Sequence, residues 1–530
     1  MTRYAVAGGD FYQPLEPTRA VEEHRLLWPA IVAWASAGAV IWFYGGGLAV
    51  HAGLAAGLIA AVAVLWWAYG AGQSGLSAAV GSAAGAVAWL RCRQMANHPL
   101  SVELGRRIDV VGRVEGSPRM LEHSMMLQLG IDGVPGTVPC FAPGLSLDEV
   151  HRGDFLTAAA VTQPSTRPGL VSVTCRLSEV QVVQASDPWA WIRGRLAQAA
   201  GRVLSSEHAG LFGGMAIGDT SGQSAQQRQV FIDTGLSHLS AVSGANVAIV
   251  LGTVVALLGT QAPKVRAVVA AISLAVFIAV AGTEASVIRA GIVGSVAVVT
   301  MVSDRRTQPA HTLFLAVIAM VILDPGMALN YGFALSVVAT GGIILLTPVL
   351  LRSIFRILSR IPMPWAQLLA VTLAADLSTM PIIALMAGRT SLVSLIANLL
   401  AGPAVPPVTI LGLIATLTAC VNTTAASLII ELTRPFLWWI NTVADILGKQ
   451  PWATTHIPAQ WLGLGLAWML YALLWHDRSR ERTSDSGRRT LPGRTRTRGH
   501  HHPGQTTTTP RHRPAHHPAA RRRSNVERNV

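Results

Sequence analysis

The chain alternates between long apolar blocks and one strand-like block. Apolar runs at roughly 28–45, 47–68 and 73–90 each approach the ~20 residues a helix needs to cross a bilayer. The first two are joined by Gly45–Gly46–Gly47, which leaves room only for a tight helical hairpin. The texture changes near residue 100. Period-two alternation is predicted over 107–115, 124–131, 136–142, 154–162, 169–175 and 178–184, with breaks at Gly133, Pro135–Gly136, Pro143–Gly144, Gly153–Asp154 and Pro168–Gly169. Five or six short strands in so little chain suit a small closed barrel such as an OB-fold. Periodicity alone does not separate that from a sandwich.

Residues 186–217 carry apolar residues at helical spacing, with Arg193, Arg195 and Arg202 between them. The pattern predicts an amphipathic helix lying on a membrane surface. Apolar runs then resume at 236–259, 266–282, 285–302, 309–323, 332–351, 366–387, 391–418, 425–447 and 458–475. The 309–323 run is short for a span. The 391–418 run holds Pro403, Pro406 and Pro407, which predicts a broken or re-entrant helix. With the β-region outside, nine spans place Lys264, Arg266, Arg305, Arg306, Arg352, Arg356, Arg360 and the tail inside, as the positive-inside rule asks. Arg91, Arg93, Arg106 and Arg107 then fall outside, against the rule.

Composition supports the membrane assignment. Only 13% of the 530 residues are charged, against about 25% in soluble domains. The formal charge of +14 is concentrated in residues 476–530, which hold 14 Arg and 4 Asp or Glu. That Arg-, His-, Pro- and Thr-rich tail reads as disordered and suits anionic lipid or nucleic acid. Residues 1–27 read as a disordered arm without a cleavable signal. The expected organisation is an arm to 27, helices over 28–90, a β-domain over 100–185, interfacial helices over 186–232, a membrane domain over 233–475 and the tail. In class this is a polytopic α-helical membrane protein with an inserted, extracytoplasmic OB-like β-barrel.

Four cysteines are present, with no CxxC and no zinc-like spacing. Cys140 and Cys175 both fall in the β-region, where an oxidising compartment favours a disulfide. Two buried free thiols are the alternative. Cys92 and Cys420 read as packing residues.

The densest polar signal precedes and opens the second membrane block. It runs through Gly218–Asp219, then Gly235–Leu236–Ser237–His238–Leu239, then Ala241–Val242–Ser243–Gly244–Ala245–Asn246–Val247. This stretch resembles the competence domain of the ComEC family. Further pieces follow in the same order: Gly282 to Arg289–Ala290, Asp324–Pro325 with Tyr331 to Ser336, and Thr379–Met380–Pro381 with Ser394 to Pro403. The resemblance covers about residues 28–475 and implies a channel for uptake of single-stranded DNA in natural competence, in a bacterial inner membrane. It implies a separate nuclease and a cytoplasmic helicase or DNA-binding protein as partners; no cofactor or metal is expected, because no metal-like His/Cys spacing occurs. Two features depart from the family. Its usual Leu-His after Ser-Gly is Ala245–Asn246 here, and nothing in residues 1–530 resembles the clustered HxHxDH of its metallo-β-lactamase-like domain. No P-loop is present, and Ser243–Gly244 is not a G-x-S-x-G elbow. The expectation is therefore a protein that is not an enzyme.

The candidate path residues are Asp219, His238, Ser243, Asn246, Glu284, Arg289 and Asp376. A charge such as Arg289 inside an apolar run costs roughly 2.5–3.5 kcal/mol at a helix centre, so it faces either a polar path or a structural ion pair. Asp219, Glu284 and Asp376 are its candidate partners. His238 lines the path or bonds locally, and Asn246 has the same two readings. Asp219 is the N-cap of the Thr220–Ser221–Gly222 turn or a path group. Ser243–Gly244 marks a helix break or a close helix contact. A transporter of a small or lipidic solute is the alternative function, and a non-transporting envelope scaffold is a third.

Overall fold

The structure is a computed structural model. It describes residues 25–465, apart from short gaps at 46–47, 122–123, 147–148, 185–187, 241–243, 283–286, 301–308 and 359 and scattered positions within 289–300 and 459–464. The expected N-terminal arm and basic tail, the last span and much of the 285–302 run lie outside the described residues.

Helices α1 (Leu27–Trp42), α2 (Leu48–Tyr69) and α3 (Ala71–Ala96) match the first three apolar runs. Small residues let α1 and α3 pack closely: Ala30, Ala33 and Ala37 meet Ala84 and Ala88. Helix α2 is apolar on every side, yet only 6% of its Ala52–Tyr69 window is buried. Trp67 is 90% exposed. A helix apolar all round and unburied by protein belongs in lipid. Among the described residues, five stretches are long and apolar enough to span: this window of α2, α9 (Pro263–Ala281), α11 (Tyr331–Ile357), α12 (Met363–Ala387) and Ser394–Ala419. The chain is a multi-pass membrane protein.

The end of α3 and the short α4 (Pro99–Val102) lead into the β-domain. Its strands are β1 (Arg107–Val114), β2 (Arg119–Met120), β3 (Met125–Ile131), β4 (Thr137–Ala142), β5 (Phe155–Pro164) and β6 (Val173–Val183). The order β1-β5-β6-β4-β3 closes through β1–β3 pairing, and β2 is an added edge on β3. The result is a small five-stranded closed barrel rather than a sandwich. Alternate residues, among them Val110, Leu127, Leu129, Val138, Leu156, Ala160 and Leu177, fill it. Met95 and Leu100 join that core from the helices below. Gln94 Nε2 donates to the Gly133 carbonyl at 2.8 Å, tying the barrel to the end of α3.

The two strands expected at 169–175 and 178–184 are one. β6 runs continuously through an irregularity opposite Thr157–Ala159, where Glu179 takes φ 53°. That break in alternation imitates a turn. β4 and β6 run parallel, with Cys140 opposite Cys175. The two form a disulfide across that register, with Cα atoms 4.5 Å apart. It closes a loop with a sequence separation of 35, and such cross-links contribute about 2–4 kcal/mol, in the chain-entropy account by restricting the unfolded chain.

After the barrel come α5 (Pro188–Gly201), α6 (Ser206–Ile217), α7 (Ala225–Asp233) and α8 (Gly244–Leu258). The single amphipathic helix expected over 186–217 is therefore two, divided before Ser205, which caps α6 through the His208 N–H. Helix α6 also departs from an interfacial role: Leu211, Phe212, Met215 and Ile217 are buried in the largest core cluster.

Helices α10 (Pro309–Leu323), α11 and α12 follow α9. The Pro-containing run breaks as expected, into α13 (Ser394–Ala401), a 3-10 turn over Gly402–Ala404 and α14 (Val405–Ala419), because its prolines remove backbone donors. The 425–447 run departs from expectation. It forms α15 (Thr423–Glu431) and α16 (Arg434–Gly448), with Pro435 opening the second. At ~1.5 Å per residue these reach roughly 13 and 22 Å, short of a hydrocarbon core of ~30 Å. The expected nine-span count therefore fails here, and the side of the tail no longer follows from counting. Strands β7 (Thr390–Ser391) and β8 (Thr454–Thr455) form a small antiparallel pair.

Candidate functional site

The polar segments converge beside the barrel, and glycine makes the approach possible. Gly210, Gly213 and Gly214 lie on one face of α6. A Cβ on Gly210 would meet the Gly222 carbonyl, and one on Gly214 the Ser240 carbonyl. On Gly213 it would stand 3.1 Å from the Asp219 carbonyl oxygen. Two loops, 219–222 and the one through Ser240, thus lie directly on the helix. Gly218 ends α6 at φ 74°, a left-handed cap that glycine takes without strain. Asp219 Oδ1 accepts from the Ser221 N–H at 3.0 Å and its hydroxyl at 2.7 Å. Of its two readings, Asp219 follows the local one and organises the turn.

Asn246 is 3% exposed and donates through Nδ2 to the Met215 carbonyl at 3.2 Å. That carbonyl lies in the last turn of α6, where helical partners run out. Asn246 thus bridges α6 and α8.

A second convergence lies at Gly235, whose φ is 72°. Ser394 packs against its Cα, where any side chain would collide. Ser394 Oγ donates to Asp376 Oδ1 at 3.0 Å and accepts from Asn398 Nδ2 at 3.2 Å. Three stretches far apart in sequence therefore meet in one polar cluster: the Gly235–His238 turn, α12 and α13. Asp376 accepts from Ser394; Arg289, the cation it was a candidate to pair with, lies outside the described residues. His238 Nδ1 lies 3.2 Å from the Gly235 carbonyl, with the ring exposed. It bonds locally, and its accessible edge lies among surrounding protein. Ser243, Glu284 and Arg289 lie outside the described residues.

Helix α12 has two faces. Ala366, Ala370, Ala374 and Ser378 are buried, the first three clustering with Leu346, Leu350 and Ile354 of α11, while Ser378 Oγ presses on Gly342. Thr372, Asp376 and Thr379 lie on the opposite side at 3.6 residues per turn and are half-buried. Both threonine hydroxyls bond back to carbonyls one turn earlier, so this face is polar without breaking the helix.

Three barrel side chains reach glycine-containing turns of the helical region. Ser117 Oγ donates to the Gly218 carbonyl at 3.4 Å. Arg152 Nη1 donates to the Ala281 carbonyl at 2.7 Å, and its guanidinium covers Gly282. Leu170 packs by Gly326. All three turns belong to segments picked out in the sequence, yet none of the barrel residues was. Their partners are more than a hundred positions away, and no local pattern marks them. Asp324 caps the third turn through the Gly326 N–H at 3.0 Å; desolvation raises its pKa, opposed by that N–H and by Arg91. Burial, and then the nearby Arg119, lower the pKa of Arg228 on α7.

A sequence model of the family described as Competence protein matches residues 215–478. That segment takes in the Gly218–Asp219 turn, the Gly235 loop, α12 and α13. No curated protein and no solved structure matches the chain.

Proposed function

We propose that this chain, which belongs to the Competence protein family, is an inner-membrane channel for the uptake of single-stranded transforming DNA. The observation that carries the reading is the polar face of α12 meeting Ser394, Asn398 and the Gly235–His238 turn at the heart of the matched segment. A polyanion crossing a low-dielectric slab needs polar groups along its way. A carboxylate midway along a spanning helix is costly, which supports such a use.

The barrel supports the same reading. Its strand order and the single parallel β4–β6 pairing suit an OB-like domain. Its contacts at Gly218, Gly282 and Gly326 lie at one end of the helices. Lys264 and Arg266 start α9, whose other end is Gly282, and Arg352 and Arg356 end α11, which starts just after Gly326. Basic residues opposite the barrel support an extracytoplasmic barrel and a cytoplasmic basic side, and a compartment that keeps Cys140–Cys175 oxidised. In this reading the chain makes and breaks no bonds. A separate nuclease prepares the strand and a cytoplasmic helicase or DNA-binding protein receives it.

The test is internalisation of fluorescent DNA in the native host. Deletion of the gene is expected to leave DNA bound outside and none inside, with recovery on complementation. Normal internalisation by the deletion strain would overturn the channel and bring solute transport forward.

A further inference from the structure

A pair of guanidiniums at the junction of barrel and helices is left without a role by the path just described. Arg119 lies on β2, the edge strand, which pairs with β3 alone. Arg228 lies in the first turn of α7 and reaches back over the 220–223 turn, with Nη2 3.5 Å from the Thr220 carbonyl and 3.4 Å from the Gln223 carbonyl. The two segments are brought together by the Ser117–Gly218 hydrogen bond, two residues from Arg119 and just ahead of that turn. Burial first, and then the charge of Arg119, disfavour the cationic form of Arg228.

Like charges held together in this way are unfavourable without an anion. Neither arginine forms an ion pair with a carboxylate among the described residues. Asp219, the acid in the adjoining turn, is committed to Ser221. The carbonyl contacts of Arg228 are long and spend one nitrogen, so most of its donor fork stays available. Beside Arg119, Met120 and Leu121 are 40% and 45% exposed. Guanidiniums suit the phosphates of a sugar-phosphate backbone, and the apolar pair beside Arg119 can lie against its sugars.

We propose that Arg119 and Arg228 form a phosphodiester clamp that receives single-stranded DNA at the junction between the barrel and the membrane domain. The inference rests on the DNA-channel reading and gives it a binding site. One guanidinium comes from each part, so a bound phosphate would also bridge barrel and helices.

The experiment uses the purified full chain in phosphatidylcholine nanodiscs with fluorescent oligothymidylate, followed by anisotropy over a range of salt. Each phosphate neutralised on a single strand contributes ~0.7 to the log–log salt slope. The Arg119→Ala/Arg228→Ala variant is expected to bind about tenfold more weakly at low salt, with a slope smaller by roughly 1.4. Arg119→Lys/Arg228→Lys should keep most of the slope, and Arg176→Ala, on an exposed part of β6, should match wild type. An unchanged slope in the double alanine variant overturns the clamp, as does wild-type protein that binds no oligothymidylate. Loss of binding to phosphatidylglycerol vesicles with oligothymidylate binding intact also overturns it and assigns the pair to lipid. The channel reading survives any of these outcomes while the deletion strain still fails to internalise DNA; normal internalisation in that strain removes the reading itself.

Discussion

Gly214→Ala is expected to destabilise the protein more than any other single methyl addition on α6. The added Cβ would run into the Ser240 carbonyl, which is backbone and cannot swing aside as a side chain would. Glycine to alanine inside a helix normally gains about 0.5–1 kcal/mol. Overpacking costs about 1–3 kcal/mol, and backbone against backbone places Gly214 at the upper end, so the steric term decides the sign. The α6 contact with the loop ahead of α8 then opens, and the Asn246–Met215 bond with it. The measurement is the thermal midpoint of the detergent-solubilised full chain by fluorescence-detected size exclusion. Gly252→Ala on α8 is the control, since nothing lies within 4 Å of its added methyl, and it should hold or raise the midpoint. Equal midpoints for the two variants would show that the loop does not bear on α6 as described.

The second large effect is functional. Asp376→Ala is expected to lower DNA internalisation at least about tenfold, ~1.4 kcal/mol in barrier terms, with normal amounts of protein in the membrane. Removing the carboxylate leaves the Ser394 hydroxyl without its acceptor and the Asn398 amide without an organised neighbour. Asp376→Asn keeps an acceptor for Ser394 and so keeps the cluster, but removes the charge. It is expected to match Asp376→Ala in uptake while matching wild type in thermal midpoint. Ser394→Ala removes a support and should cost only a few-fold. Wild-type uptake in Asp376→Asn would reduce the carboxylate to a structural acceptor.

Features written into local pattern were legible in the sequence. Alternation placed β1, β3, β4 and β5 to within a residue or two, missed the two-residue β2, and split and lengthened β6, which begins at Val173 and is interrupted at Glu179. The Cys140–Cys175 pairing followed from both residues lying in one small domain. Pro403, Pro406 and Pro407 marked the break between α13 and α14. Hydropathy misled over 425–447, because an average over the run does not register Pro435 opening a new helix. The candidate site was half legible. Asp219, His238, Asn246 and Asp376 stood out as polar groups in apolar surroundings, but their partners did not. Asp376 bonds to Ser394, whose Cα carries no mark of that use. Gly210, Gly213 and Gly214 show only a helical spacing, and the loops they receive are visible only in three dimensions. Arg119, Arg152 and Arg228 carry no local mark in the sequence, since what distinguishes them is a neighbour supplied by another part of the chain.

The most direct test of the channel is to catch DNA in transit against α12. A photo-crosslinking amino acid placed at Thr372 or Thr379 should form adducts with labelled single-stranded DNA during uptake, whereas one at Leu385, 67% exposed, should form none. Adducts confined to the polar face are the predicted result. Active uptake with no adduct at Thr372 or Thr379, or with equal adducts at Leu385, would contradict a path along this helix.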